Sequence, residues 1–162
     1  MTISTSCNHI ASLLCPERIV VDLDVGSKKR VFEQAGLLFE NNQQLARSTV
    51  YDALFAREKL GSTGLGLGVA IPHGRIKGLK SATAAFFRLV SPIPFDAPDG
   101  VGVQLVFVLL VPQSANEQHL QLLSELAQMC SARRFRELLQ AAPDSAALLD
   151  EVLDEIAGIK AR

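Results

Sequence analysis

The feature that most restricts the fold is an apolar run in the second half of the chain, residues 103–111 (VQLVFVLLV). Gln104 is its only polar residue, β-branched side chains are frequent, and Pro112 ends it. Apolar residues at successive positions are typical of a strand that is buried on both faces of a sheet. The sequence therefore predicts a central strand here.

Strands and helices alternate around this run. Ser27 resembles an N-cap, because an apolar stripe at helical spacing follows it, and Ser114 with Glu117 has the S-x-x-E pattern of a capping box. A second helix is expected to start near Ser48 or Thr49 and to end at Gly61. Further strands are predicted at 18–23, 67–71 and 82–90, and further helices at 133–142 and 145–159.

Composition restricts the class of protein. The chain has 162 residues, 48% hydrophobic and 20% charged, which fits one domain spanning 1–162 with residues 1–8 as a flexible tail. The net charge of -1 argues against binding nucleic acid through phosphate neutralisation. No apolar run has the length of a membrane span, and we expect no membrane insertion. Three scattered cysteines and no signal peptide favour a cytoplasmic location.

A glycine-rich run, residues 61–74 (GSTGLGLGVAIPHG), contains the first candidate functional residue. Pro72 should end the preceding strand, so His73 is expected in a loop at the strand end. Gly74 follows and lets another backbone or a ligand come close. Imidazole, with a reference pKa of about 6.5, is a neutral nucleophile near neutral pH. A structural histidine in a tight turn is the alternative.

Arg57 and His119 are the other candidates. Arg57 lies on the apolar side of its predicted helix, either as a snorkelling or acid-paired arginine or as an anion clamp. His119 lies near a helix N-terminus, where a structural role competes with one beside a bound anion. Two imidazoles and a guanidinium would suit transient phosphoryl transfer, or else an anion sensor.

Lys28, Lys29 and Arg30 contradict a local rule, because positive charge is unfavourable in the first turn of a helix. A solvated helix end and a basic docking patch for an acidic partner are the two interpretations.

Several common motifs are excluded. The glycines do not complete G-x-G-x-x-G, and neither a P-loop nor a serine-hydrolase elbow is present. Cys130 lies on an apolar helical stripe, as a buried inert thiol would. Cys7, His9 and Cys15 match no common zinc spacing. We expect neither a metal nor a cofactor.

Four segments carry a resemblance to a known family. They are 57–74 (REKLGSTGLGLGVAIPHG), 27–30 (SKKR), 91–100 (SPIPFDAPDG) and 105–112 (LVFVLLVP). The chain resembles type-2 enzyme IIA domains of the bacterial phosphoenolpyruvate phosphotransferase system, fructose–mannitol group, and is most similar to the stand-alone nitrogen-regulatory branch. Leu67 departs from the pattern, since relatives often have a polar residue there, and this change is expected to affect partner choice rather than chemistry.

The resemblance implies an α/β fold in which a small mixed β-sheet is sandwiched by helices. It implies that His73 is phosphorylated at Nε2 by an HPr-like carrier, itself supplied by an enzyme I-type protein, and that His119 and Arg57 are its active-site neighbours. Output would be regulatory, through partners such as potassium-transport or nitrogen-linked regulators. The alternatives are the IIA component of a fructose/mannitol-type sugar uptake system and a binding module that is not phosphorylated.

Overall fold

The computed structural model of the chain describes residues 12–161, so the predicted tail at 1–8 lies outside the described residues. A 3-10 helix at Pro16–Arg18 precedes the first strand. The strands are β1 (Ile19–Leu23), β2 (Gly64–Gly66), β3 (Val69–Ala70), β4 (His73–Ile76), β5 (Thr83–Ile93) and β6 (Val103–Pro112). The helices are α1 (Lys28–Gln43), α2 (Arg47–Glu58), α3 (Glu117–Ser131), α4 (Arg133–Ala141) and α5 (Ser145–Ala161).

Strand β6 is the centre of a six-stranded mixed sheet with the order β1-β5-β6-β3-β2, and β4 also pairs with β6. β6 is antiparallel to β5 and parallel to β3 and β4. All its residues except Gln104 are buried, which confirms the predicted central strand. β4 pairs with the last four residues of β6, beginning with His73 opposite Leu109.

Helices cover both faces of the sheet, as the alternation of side chains along β6 requires. Leu105, Phe107 and Leu109 pack in a core with residues of α3, α4 and α5. Val106 and Val108 point to the opposite face and pack with residues of α1 and α2. The fold is therefore an α/β sandwich of a small mixed sheet between helices, as expected.

Two predicted elements differ from the observed ones. Residues 67–71 do not form one strand, because Gly66, Leu67 and Gly68 have φ of +89°, +60° and +80° and make the turn of a β2–β3 hairpin. Strand β5 continues through Ile93 into the segment predicted as a loop.

Two helix starts also differ from the prediction. α3 is capped by Asn116, whose side chain accepts from the backbone N–H of His119, so the predicted box of Ser114 and Glu117 is wrong. α2 begins at Arg47, whose backbone N–H donates to the Glu40 carboxylate at 3.2 Å. A carboxylate from α1 thus serves the helix start that lacks a side-chain cap of its own.

Candidate functional site

His73 is the first residue of β4 rather than part of a loop, so that prediction is wrong in detail. The next residue, Gly74, allows a close contact between β4 and α2, because a Cβ at that position would lie 2.9 Å from Cβ of Ala53. Helix α2 therefore packs directly on the backbone of β4. The close approach that Gly74 predicted is made by a helix of the same chain.

The ring of His73 has a defined pair of partners. Nδ1 lies 2.9 Å from the carbonyl oxygen of Ile71, and Nε of Arg57 lies 3.2 Å from Nε2. A carbonyl oxygen only accepts and a guanidinium only donates, so Nδ1 carries the proton and Nε2 the lone pair. His73 is thereby held in the tautomer in which Nε2 is the nucleophilic atom.

The surroundings of His73 lower its pKa below the usual 6.5. Burial is the largest cause, and the positive charge of Arg57 also lowers the pKa. The hydrogen bond to Ile71 and the negative charge of Glu58 act in the opposite direction. The imidazole is consequently neutral near pH 7, the state in which its lone pair is available.

Arg57 is half-buried in the last turn of α2. Beside its bond to His73, Nη1 donates to the carbonyl oxygen of Gly61 at 2.9 Å. No ion pair joins Arg57 to a carboxylate within residues 12–161. Among the described residues this guanidinium is not paired with an acid, so its charge remains available to an anion at Nε2.

His119 shares a pocket of about 400 Å³ with Arg57 and His73. It is half-buried, and Nδ1 lies 3.3 Å from N and 3.1 Å from Oδ1 of Asn116. The helix cap thus occupies Nδ1, and Nε2 remains for a ligand. Arg75 steadies the loop before α3 by donating to the carbonyls of Gln113 and Ala115. The three residues predicted from separate elements therefore meet in one pocket.

Sequence reasoning missed the apolar residues that line the same pocket. Leu60 is 84% exposed and Leu120 is 48% exposed. Each follows a polar helical segment, and their exposure, which marks them as unusual, is not visible in the sequence.

In the basic first turn of α1, Lys28 has a structural explanation, whereas Lys29 is exposed. Lys28 Nζ lies 2.8 Å from Glu58 Oε2 and 3.2 Å from Asp96 Oδ2, and Arg30 pairs with Glu33. Lys28 is therefore neither a solvated helix end nor part of an open docking patch. No local pattern in the sequence indicates Glu58, which compensates the charge of Lys28.

The described residues contain no group of three or more histidine, cysteine or acidic side chains placed to hold a metal ion. Cys7 and His9, which the sequence raised as ligands, lie outside the described residues. Burial raises the pKa of the Cys130 thiol to about 12, in agreement with an inert cysteine. In the described part of the chain, no helix is long and apolar enough to cross a membrane.

Comparison with known proteins gives consistent results. The family model described as "Phosphoenolpyruvate-dependent sugar phosphotransferase system, EIIA 2" matches residues 12–155. A nitrogen regulatory protein of Pseudomonas aeruginosa is 45% identical over 147 residues, covering 90% of this chain and 96% of the relative.

Among solved structures, the nitrogen regulatory protein IIA-Ntr of Neisseria meningitidis is 51% identical, with a TM-score of 0.85 and coverage of 89% of this chain and 99% of that one. IIA mannitol of Escherichia coli, at 23% identity and a TM-score of 0.71, covers 86% of this chain and 98% of its own and shares the fold.

Proposed function

The chain belongs to the type-2 enzyme IIA family of the phosphoenolpyruvate-dependent sugar phosphotransferase system, and from this premise we propose that it is a phosphohistidine carrier with regulatory output. The phosphoryl group would be accepted on Nε2 of His73. The observation that carries the proposal is the pair of hydrogen bonds on the ring. The carbonyl of Ile71 holds the proton on Nδ1, and the Nε–H of Arg57 donates to the lone pair on Nε2.

The transfer step follows from that geometry. The Nε2 lone pair attacks the phosphorus of a phosphohistidine on the donor, the new N–P bond forms, and the electron pair of the old N–P bond returns to the donor imidazole. Because the Nε–H of Arg57 occupies that lone pair in the free chain, this hydrogen bond breaks as the donor approaches, and the N–H donates to a phosphoryl oxygen instead. His119, which lines the same pocket, would contribute its Nε2.

The lining of the pocket supports a protein donor rather than a small molecule. Leu60 and Leu120 present apolar side chains to solvent at the site of transfer. Exposed apolar groups around a polar centre are typical of a protein interface. An HPr-like carrier, charged in turn by an enzyme I-type protein, is the proposed donor.

A regulatory output is supported by the similarity to a nitrogen regulatory protein over nearly the whole chain. A phosphoryl group adds about -1.5 to -2 charges at pH 7. That charge would reverse the electrostatic field around Arg57, so that partner proteins can distinguish the two states. Potassium-transport or nitrogen-linked regulators are the proposed partners.

The test is phosphorylation with purified components. The chain is mixed with phosphoenolpyruvate, an enzyme I-type protein and an HPr-like carrier, and its intact mass is measured beside that of His73→Ala. We expect a gain of one phosphoryl group in the wild type and none in the variant. Full labelling of His73→Ala would contradict the assignment, as would an unlabelled wild type with several donor pairs.

The family description itself supports a second candidate, the IIA component of a fructose/mannitol-type sugar uptake system. The phosphorylated chain would then pass its phosphoryl group to the cytosolic IIB-type domain of a sugar permease. Rapid loss of label to that domain, compared with slow loss to buffer, favours this candidate. Unchanged partner affinity after labelling would instead favour a binding module that does not use phosphorylation.

A further inference from the structure

A buried carboxylate lies one residue beyond Arg57 and outside the pocket. The Glu58 side chain is 5% exposed. Oε2 accepts from Lys28 Nζ at 2.8 Å and from the backbone N–H of Thr63 at 3.1 Å, and Oε1 accepts from Thr63 Oγ1 at 2.6 Å. A carboxylate removed from water is costly unless it is paired and hydrogen-bonded, and this one meets both conditions.

One branch of this network leads to the His73 ring. The carbonyl oxygen of Thr63 accepts from the backbone N–H of Ile71 at 3.0 Å. The carbonyl oxygen of Ile71 in turn accepts from Nδ1 of His73 at 2.9 Å. Glu58 therefore fixes Thr63, Thr63 fixes the peptide of Ile71, and that peptide selects the tautomer of the ring.

A second branch leads to the guanidinium. The segment from Glu58 to Thr63 is a turn, closed by the Glu58 carboxylate and by a bond from Gly61 N to Glu58 O at 3.1 Å. The carbonyl oxygen of Gly61 at the centre of this turn accepts from Arg57 Nη1. The same carboxylate thus sets the positions of both groups that contact the ring of His73.

We infer that Lys28, Glu58 and Thr63 form a positioning network that holds the Nδ1–H tautomer of His73 and the guanidinium of Arg57 in register for phosphoryl transfer. The kinetic part of this inference rests on the proposed function. The network also explains why a lysine stands in the first turn of α1, since Lys28 supplies the positive charge that the buried Glu58 needs. None of the three side chains lines the pocket, so they act through Arg57 and His73.

The experiment compares three variants with two matched controls in the full chain. Thr63→Val removes the hydroxyl donor without changing the shape, Glu58→Gln removes the charge, and Lys28→Met removes its partner. Thr83→Val deletes another buried threonine hydroxyl, whose bond to Gln43 lies elsewhere, and Lys29→Met deletes an exposed neighbouring charge.

Two measurements are made on each protein. Long-range ¹H–¹⁵N correlation spectra of the unphosphorylated chain report the tautomer of His73. Single-turnover transfer from a phosphorylated HPr-like carrier at increasing donor concentration gives the maximal transfer rate and the half-saturating donor concentration, which serve as kcat and KM. In Thr63→Val and Glu58→Gln we expect a mixture of tautomers and a kcat lower by roughly 10- to 100-fold, because small misplacements of reacting groups have effects of this order.

KM should stay within about twofold, since the buried groups do not touch the donor and only the chemical step is affected. Lys28→Met should change both measurements in the same direction but less, Thr63→Ser should restore them, and both controls should resemble the wild type.

Two results would overturn the inference. One is a folded Thr63→Val or Glu58→Gln with the wild-type tautomer and kcat. The other is an equal loss of kcat in Thr83→Val, which would reduce the network to general stability. If Glu58→Gln fails to fold, Thr63→Val and Lys28→Met decide the matter. If the wild type accepts no phosphoryl group, the proposed function fails. The spectra of the variants still test whether the network sets the tautomer of His73.

Discussion

Arg57 and Arg88 present the same guanidinium in two different settings. Arg88, in the middle of β5, is 7% exposed, and its Nη1 donates to the carbonyls of Leu139 and Ala142 at 3.0 Å and 2.6 Å. Its Nη2 lies 3.3 Å from Oδ1 of Asp22. Arg57 is half-buried and divides its donors between one backbone carbonyl and a ring nitrogen.

The difference lies in what the acceptors can do. Backbone carbonyls at the end of α4 have no chemistry of their own, so Arg88 closes a helix end and joins it to the sheet. The ring nitrogen facing Arg57 can form a covalent bond, which would release the N–H of Arg57 that now donates to it. The two arginines differ in burial as well, but it is the kind of acceptor that separates a structural role from a chemical one.

The largest effect is expected when Arg88 is replaced, and it is a loss of stability. In Arg88→Met, the buried carbonyls of Leu139 and Ala142 lose their donor. Unsatisfied buried acceptors cost about 1–3 kcal/mol each, so the free energy of unfolding should fall by roughly 3 kcal/mol. Urea denaturation measures this, and Arg133→Met, an exposed arginine on α4, is the control. A wild-type midpoint for Arg88→Met would show that these bonds add nothing.

Arg57→Met should behave in the opposite way, with a large loss of transfer rate and little loss of stability. Loss of a charged donor aimed at the transferring group lowers kcat by about 100-fold, while the free energy of unfolding changes by less than about 1 kcal/mol. Arg57→Lys should recover only part of the rate, because an ammonium lacks the planar fork that holds Gly61 and the ring together. Stopped-flow or quench-flow transfer from the donor measures these rates.

Arg47→Met, at the exposed start of the same helix, is the matched control and should transfer at the wild-type rate. Equal rates for Arg57→Met and Arg47→Met would remove Arg57 from the site.

The elements that depend on local residue patterns could be predicted from the sequence. The central strand followed from an apolar run that only a doubly covered position in a sheet accommodates, and the helices followed from their apolar stripes. The positions of Arg57, His73 and His119 at element ends, together with the family resemblance, predict them as site residues, and the structure brings them to one pocket.

What the sequence did not predict depends on partners far away along the chain. Arg88 is a lone charge in an apolar strand, and its partners in and after α4 lie more than 50 residues away. Lys28 violates the rule for a first helical turn until Glu58, 30 residues later, is placed beside it. The tautomer of His73 likewise needs the direction of one peptide group, which no spacing of residues reveals.

A smaller effect is expected at His119, where capping and chemistry can be separated. His119→Gln keeps a polar side chain that can serve the cap of α3, whereas His119→Ala removes both the cap and the imidazole. Both variants should transfer roughly tenfold more slowly, the equivalent of one hydrogen bond to a charged group. Only His119→Ala should also lose stability, by about 0.5–1 kcal/mol.

Intact-mass time courses and urea denaturation of the two variants test this pair. A His119→Gln protein with the wild-type rate would confine His119 to the helix cap.

The pH dependence of His73 gives the finest test of the comparison. Burial first, and then the charge of Arg57, hold its pKa below 6.5. Above pH 6.5 the ring is neutral in both folded and unfolded chains, and its contribution to stability is complete. As the pH falls below 6.5, the unfolded chain binds a proton that the folded chain excludes, so stability decreases until the folded pKa is reached.

An NMR titration of the ring protons should therefore show a midpoint below 6.5 for His73. Removing the nearby positive charge in Arg57→Met should raise that midpoint, because a charge that opposes protonation is lost. Arg88→Met should leave it unchanged wherever the protein remains folded, since Arg88 is not among the groups that perturb this ring. Equal midpoints in all three proteins would mean that the guanidinium of Arg57 does not act on the nitrogen it faces, and the distinction between the two arginines would then rest on stability alone.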